Sequence, residues 1–428
     1  MRYPCKTEDK NEQKKLIICS CVANTFEWYD YSLFGNFASI IGIKYFPNQD
    51  LNSSFLIALL VFAAGYLMRP LGGLFFGVLG DKFGRKISLS TSLIFMSLPT
   101  ILIGLLPTYE SIGKAASVLI IVMRMLQGIS MGGVLTGSIL FLIENTDKKN
   151  RGLMGSIPMA SICLGILLGT IVSLLSRKIF SVEDFDSWGW RIPFIISIVN
   201  LFIGLYIKKY TNETAIFTKM QKNGEISISP LRFAVKNYWF DMLVSIMISS
   251  TGTIMFYFQA IYLPNYLKLT RNFSFSEVDS LSIVSNITMA IVCILSGKIG
   301  DIIGKRNIFA LIIITNCCII FLLTNNFQFG NWISIYVSQI ILGGLIAFYM
   351  GPEPALQAEF YPSAIRSTAI ALSYNMGASI FGGTSPFIMA YLNTQTLNLR
   401  GGAYYIIIAS FFSLLGLYFY KNRFEEKL

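Results

Sequence analysis

Residues 77–86 read GVLGDKFGRK, and residues 297–306 read GKIGDIIGKR. In each, an aspartate (Asp81, Asp301) is followed by glycine at the third position and by a basic pair at the fourth and fifth; the two aspartates lie 220 residues apart. A second match accompanies the first. Glu144 precedes Arg151 by seven residues in ENTDKKNRG, and Glu359 precedes Arg366 by seven in EFYPSAIRS, each residue 215 from its counterpart. Two motifs repeated at nearly one offset mark a duplicated unit. Within the first copy, Gly77, Gly80 and Gly84 permit close approach and unusual backbone angles. Asp81 is placed to face Arg85 or the positive N-terminus of another helix.

Outward from these loops the chain is apolar. Of its 428 residues 54% are hydrophobic and 13% charged, with mean hydropathy +0.60; a soluble protein carries about 25% charged residues. The apolar residues fall in blocks long enough to cross a bilayer as helices. Twelve spans are predicted, near 17–42, 53–78, 88–107, 115–142, 153–176, 191–208, 240–264, 278–299, 307–324, 332–356, 367–392 and 402–420. The expected architecture is an all-α integral membrane protein of two pseudo-symmetric six-helix bundles. Residues 1–208 form the first, 209–238 a cytosolic linker, and 239–428 the second with a short cytosolic tail. Parallel six-span repeats are a plan of many membrane carriers.

Charge sets the orientation. Of the 34 basic residues, about 24 fall on the side of the termini, the linker and the two repeated loops, against 8 on the other, which places both termini in the cytosol. The net charge of +11 is therefore spread over short loops facing an anionic leaflet and points to no nucleic-acid partner. The first apolar run is too long for a cleaved signal and carries two acids, so it reads as a retained span. The seven cysteines (Cys5 among them) form no extracytosolic pairing pattern, and the absence of histidine argues against a Cys/His zinc site. No nucleotide loop or nucleophile–base constellation marks an enzyme. No filter-like repeat marks a channel, and no attached signalling domain a receptor. No cofactor is expected.

The run Gly77–Lys86 resembles the loop signature of the major facilitator superfamily. Finer stretches (EWYDYSLFG, YLMRPLGGLFFG, RMLQGISMGG, WGWRIPF, NETAIF, GGTSPF) resemble its metabolite:proton symporter branch, most of all the proline/betaine transporters, whose relatives carry 2-oxoglutarate, citrate or shikimate. The resemblance implies that Gly77, Asp81, Gly84, Arg85 and Lys86 belong to a latch that joins the halves on the cytosolic side when the carrier faces outward. Glu144, Arg151 and a helix start near Pro362 are the implied partners, and Asp301, Glu359 and Arg366 the second copy. Ile302 and Ile303 after Asp301 depart from the pattern, so a weaker second latch is expected. The final KNRFEEKL carries no heptads, unlike the coiled-coil extension of some osmosensing relatives.

Two acids sit inside the first span. Glu27, Asp30, Tyr31 and Phe34 share one helical face, and an ionised side chain at mid-membrane costs about 2.5–3.5 kcal/mol on insertion scales. Arg69 and Arg124 are the arginines within spans, so paired charges are expected: Asp30 with Arg124 and Glu27 with Arg69, or the reverse. Either the pairs glue helices, or a carboxylate loads and releases a proton as its surroundings alternate. Related proton-coupled carriers, which pair a first-span acid with a fourth-span arginine, favour Asp30. Glu353, between Pro352 and Pro354, is a second candidate in a helix that the prolines are expected to loosen.

For the solute, Trp28, Tyr31, Gln127, Tyr257, Gln259, Tyr374 and Asn375 are the candidate contacts. Aromatic faces near an acid suit an ammonium through cation–π attraction, with an arginine for the carboxylate of the same zwitterion. The expected activity is proton-coupled symport of a small zwitterion such as proline or betaine by a monomer in a bacterial inner membrane. Symport of an organic acid (2-oxoglutarate or citrate type) and proton-driven export are the alternatives.

Overall fold

A computed structural model describes residues 10–47, 51–225, 229–396 and 398–421; Arg2, Cys5, Lys6, Arg423 and Lys427 lie outside the described residues. The first half supplies α1 (Lys10–Asn36), α2 (Leu51–Phe83), α3 (Arg85–Leu105), α4 (Lys114–Ile143), α5 (Arg151–Ile179) and α6 (Ile198–Tyr210). The second supplies α7 (Pro230–Tyr257), α8 (Phe275–Ile303), α9 (Lys305–Phe329), α10 (Trp332–Met350), α11 (Arg366–Gly377) and α12 (Arg400–Phe419). Nine helical segments among the described residues are long and apolar enough to cross a membrane. The acid-bearing α1, the long α2 and the interrupted α11 complete the twelve.

The breaks have local causes. Gly84 and Gly304 turn the chain between α2 and α3 and between α8 and α9 at φ +115° and +94°, a region open chiefly to glycine. Polarity misleads at the linker. Ala215–Asn223 is a helix, capped by the Thr214 side chain, which accepts from the Phe217 N–H. Pro230 then starts a short helical stretch, because proline suits a first turn, and a non-helical Tyr238 (φ −130°) separates it from the apolar part of α7. Helix α10 stops at Met350 and resumes as Glu353–Ala358, where Pro352 and Pro354 prevent continuous hydrogen bonding. Short π-helical turns interrupt α7 at Phe258–Tyr262 and α11 at Ala378–Gly383.

Small residues set the packing. A Cβ on Gly72 would strike the Ile129 backbone, and one on Gly128 the Gly65 backbone, so α2 and α4 meet main chain to main chain. Leu60, Leu67, Leu71 and Phe75 run exposed along α2 as a lipid-facing stripe. The two halves touch along matching seams, α2 on α11 and α5 on α8. Gly77 faces Thr368 in one seam and Gly152 faces Gly297 in the other.

Candidate functional site

At the end of the bundle bearing the repeated loops, both seams are tied. The Asp81 carboxylate accepts from the backbone N–H of Ser367 (3.2 Å) and Thr368 (2.7 Å) at the start of α11, where the helix dipole favours an anion. It also lies 3.3 Å from Arg85. The Arg85 fork donates to both oxygens of Glu144 (3.2 and 3.3 Å) and to the carbonyls of Gly80 and Ser363. Arg366 donates to Glu144 from the opposite half at 3.2 Å. The helix carrying Arg366 starts at that residue, shortly after Pro362.

The linker joins this cluster. Thr214 Oγ1 donates to Glu144, and the Glu213 carboxylate accepts from the Arg85 and Lys86 N–H groups at the start of α3. Burial pushes the Glu213 carboxyl above its usual value, against the lowering effect of the Thr214, Lys86 and Arg85 amides and the Arg85 charge. Arg151 is buried at the first turn of α5.

The second loop repeats the plan. Asp301 accepts from the Gly152 (2.8 Å) and Leu153 (3.0 Å) N–H groups at the start of α5. Lys305 lies 2.7 Å from Glu359, to which the Tyr420 hydroxyl also donates.

Between the halves lies a cavity of about 190 Å3. Its inner wall is aromatic: Trp28 and Tyr31 from α1, Tyr66 from α2, Phe256 and Tyr257 from α7. The rings meet edge to face, Trp28 with Tyr31 and Phe256, Tyr31 with Tyr66, Tyr66 with Tyr257. Gly382, under the Tyr257 ring, leaves no room for a Cβ. The cavity reaches Asn36, Lys268 and Asp279, which sit near helix ends remote from the repeated loops. A smaller pocket shares Trp28, Phe256 and Tyr257 and adds Tyr374 and Glu353. Gln357 donates to Glu353 (2.9 Å) and to Ser249 (2.8 Å).

The membrane acids take other partners than a charge count implies. Asp30 accepts from Ser197 Oγ (2.5 Å) and Asn200 Nδ2 (3.0 Å), neutral donors near the start of α6, and is not paired with Arg124. The Arg124 guanidinium donates to Gln127 (2.9 Å) and lies over Tyr31 and Phe34, 4.1 and 4.7 Å from the ring centres. Glu27 is fully buried, and neither carboxyl oxygen accepts a hydrogen bond. Arg69 instead donates to Asn375 across the α2–α11 seam (3.1 Å).

Trp28, Tyr31, Tyr257 and Gln259 thus line the main cavity, and Tyr374 the smaller pocket. Gln127 donates to Thr100 inside the first half, and Asn375 to the Gly132 and Ala371 carbonyls, so both are spent on helix contacts. Sequence reasoning passed over Tyr66, Phe256, Ser285 and Gln339 on the wall and Glu213 beside the first repeated loop. Of these, Glu213 had a signal in NETAIF.

The family model described as "Sugar (and other) transporter" matches residues 16–227, and "Major Facilitator Superfamily" matches 242–428. The chain is 30% identical to the glycine betaine/proline/ectoine/pipecolic acid transporter OusA of Dickeya dadantii, covering 98% of this chain and 85% of that one. It is also 30% identical to the proline/betaine transporter of Escherichia coli K12, over 95% and 83%. Among solved structures, the proton:xylose symporter XylE bound to 6-bromo-6-deoxy-D-glucose superposes with TM-score 0.78 at 16% identity, over 96% and 95% of the two chains. The inward-open form of XylE from E. coli gives 0.65 at 17% identity, over 95% of each. At such identity these structures speak to the fold alone.

Proposed function

The chain belongs to the major facilitator superfamily of secondary transporters, and from that premise we propose that it carries a small zwitterion of the proline or betaine type together with protons. One observation carries this proposal: the cavity between the halves is walled by five aromatic rings, with the fully buried Glu27 one residue before the wall and Arg69 over the Tyr66 ring, 5.6 Å from its centre. Ring faces attract an ammonium with about 0.5–2 kcal/mol, and α1 and α7 supply them from opposite halves, so their separation opens the site. Arg69, which lies over the Tyr66 ring of the wall and donates to Asn375 of the second half, would attract the solute carboxylate.

Of the two acids, Glu27 is the better proton carrier. Asp30 is held by two neutral donors and acts by positioning α1 against α6. Glu27 has no hydrogen bond to give up, and its charge acts on the arginine that spans the seam. Glu353, in the smaller pocket, is a second proton site on the inward route. The repeated loops and both termini face the cytosol of a bacterial inner membrane, as the basic residues favour, and the cavity opens outward. The monomer suffices, because both wall and latches come from one chain.

The test is uptake of labelled proline, betaine and 2-oxoglutarate into proteoliposomes under an imposed proton gradient. Wild type is expected to accumulate proline or betaine, Glu27→Gln to equilibrate it without accumulation, and Asp30→Asn to slow both processes. Normal accumulation by Glu27→Gln would move coupling elsewhere. Accumulation of 2-oxoglutarate alone would favour the organic-acid alternative.

A further inference from the structure

The cavity wall supplied by the second half carries amides and hydroxyls among its rings. Gln259 in the π turn after α7, Ser285 on α8 and Gln339 on α10 all line it. They are 5%, 0% and 4% exposed. Gln259 Oε1, Ser285 Oγ and Gln339 Oε1 nevertheless make no hydrogen bond with the protein. Leaving a buried polar atom unpaired is costly, and here three from the second half converge on one cavity. On the first half's wall the unpaired atoms of Trp28 (Nε1) and Asn36 (Nδ2) are donors suited to a carboxylate. Other polar residues on the same wall are turned back onto their own helices: Asn265 donates to the Ile261 carbonyl and Asn286 to the Ser282 carbonyl, both at 2.8 Å.

The unpaired atoms are two amide oxygens and a hydroxyl. Two of the three only accept, so the partner they lack is a donor. An ammonium that retains N–H hydrogens supplies donors; a fully methylated one supplies none and is satisfied by ring faces alone. A site built around hydrogen bonds to a solute rejects the analogue lacking them, because its own buried groups are then stranded.

We propose that Gln259, Ser285 and Gln339 form a donor-reading subsite that selects zwitterions bearing N–H hydrogens, such as a secondary ammonium, over their fully N-methylated analogues. The subsite rests on the zwitterion function proposed above: the aromatic rings take the positive charge of either solute, and the three polar groups tell them apart. Ser285 lies against α10, its hydroxyl 3.0 Å from where a Cβ on Gly343 would sit, which keeps it near the helix that carries Gln339.

Proline and N,N-dimethylproline share a ring and a carboxylate and differ at the nitrogen. In proteoliposomes, wild type is expected to show a KM for proline roughly tenfold or more below that for the dimethyl analogue, the scale of one hydrogen bond to a charged group. Gln339→Met and Gln259→Met should each raise KM for proline about tenfold and KM for the dimethyl analogue by much less, so that the preference collapses. Ser285→Ala should shift the ratio the same way by less. A wild-type thermal unfolding temperature shows that each variant is folded. Equal losses for both solutes, or a preference untouched by all three substitutions, would overturn the subsite while leaving zwitterion transport intact. If wild type accumulates neither solute, the transport proposal falls and takes the subsite with it.

Discussion

The two copies of the loop use the same parts at different depths. In each, an aspartate at the end of one helix accepts two backbone N–H groups at the start of a helix in the other half: Asp81 on α11 and Asp301 on α5. Each then turns through a positive-φ glycine and places a cation beside a glutamate 54 or 59 residues further on (Lys305–Glu359, Arg85–Glu144). The first cation is an arginine whose side chain and glutamate partner are both 0% exposed. The second is a lysine at 11% with its partner at 3%. Arginine presents a rigid, weakly hydrated fork, lysine a strongly hydrated point charge. Duplication has kept the anion on the helix start and let the depth of the ion pair diverge.

Removing the two glutamates tests that difference most severely. Glu144→Gln removes the carboxylate shared by two fully buried guanidiniums, leaving Arg85 with Asp81 and Arg366 with backbone carbonyls, and breaking a buried pair costs about 3–5 kcal/mol. Glu359→Gln disturbs a pair nearer to water, where the loss is about 1 kcal/mol. Initial uptake should fall more than tenfold in the first variant and about threefold in the second, with the larger drop in thermal unfolding temperature also in the first. Equal losses would mean that depth does not separate the latches.

The glycines sharpen the comparison at smaller scale. Alanine at either position meets an extended, positive-φ backbone conformation used almost only by glycine, which costs roughly 1–3 kcal/mol. At Gly304 nothing else intervenes, since the nearest atom to a Cβ is Asn307 Nδ2 at 3.7 Å. At Gly84 the same Cβ would fall inside the Glu213 carboxylate and expel the linker from the start of α3. Gly84→Ala should therefore lower the unfolding temperature more than Gly304→Ala, and in Gly84→Ala alone should proteolysis between 211 and 225 accelerate. Matching shifts in both would remove Glu213 from the latch.

What the chain discloses in advance follows from where its information is local. Glycine, acid and basic pair at fixed spacing encode a turn between two helices, so both loops are legible, and blocks of apolar residues give the spans. Hydropathy hides what lies beside them. Ala215–Asn223 is polar and basic, and 230–239 carries Arg232 and Lys236, so the helix in the linker and the short helical stretch from Pro230 to the break at Tyr238 are both hidden from a reading of apolar runs. Counting charges offers Asp30 an arginine, yet Ser197 and Asn200, 167 and 170 residues away, hold it. Gln127 and Asn375 look available for a solute and are consumed by Thr100, Gly132 and Ala371. Ser285 and Gln339 are unremarkable in sequence; only convergence on one cavity singles them out.

The smallest expected effect concerns pH and should appear at one latch. Glu213 caps the start of α3, whereas α9 begins with no acidic residue in its first turn and no side-chain cap. Burial raises the Glu213 carboxyl above the usual 4.5, so the docked linker holds the proton more tightly than the released one. Docking then takes up a proton: its stabilisation is full below pH 4.5, declines as pH rises through the raised value, and stays constant above it. A spin label at Lys222→Cys should become more mobile as pH rises from 4.5 through the raised value, and Glu213→Gln, uncharged throughout, should abolish that change. A label at Asn307→Cys, beside the start of α9, should show no such step. A step that survives Glu213→Gln would assign the titration to another group and leave the two latches alike in their response to pH.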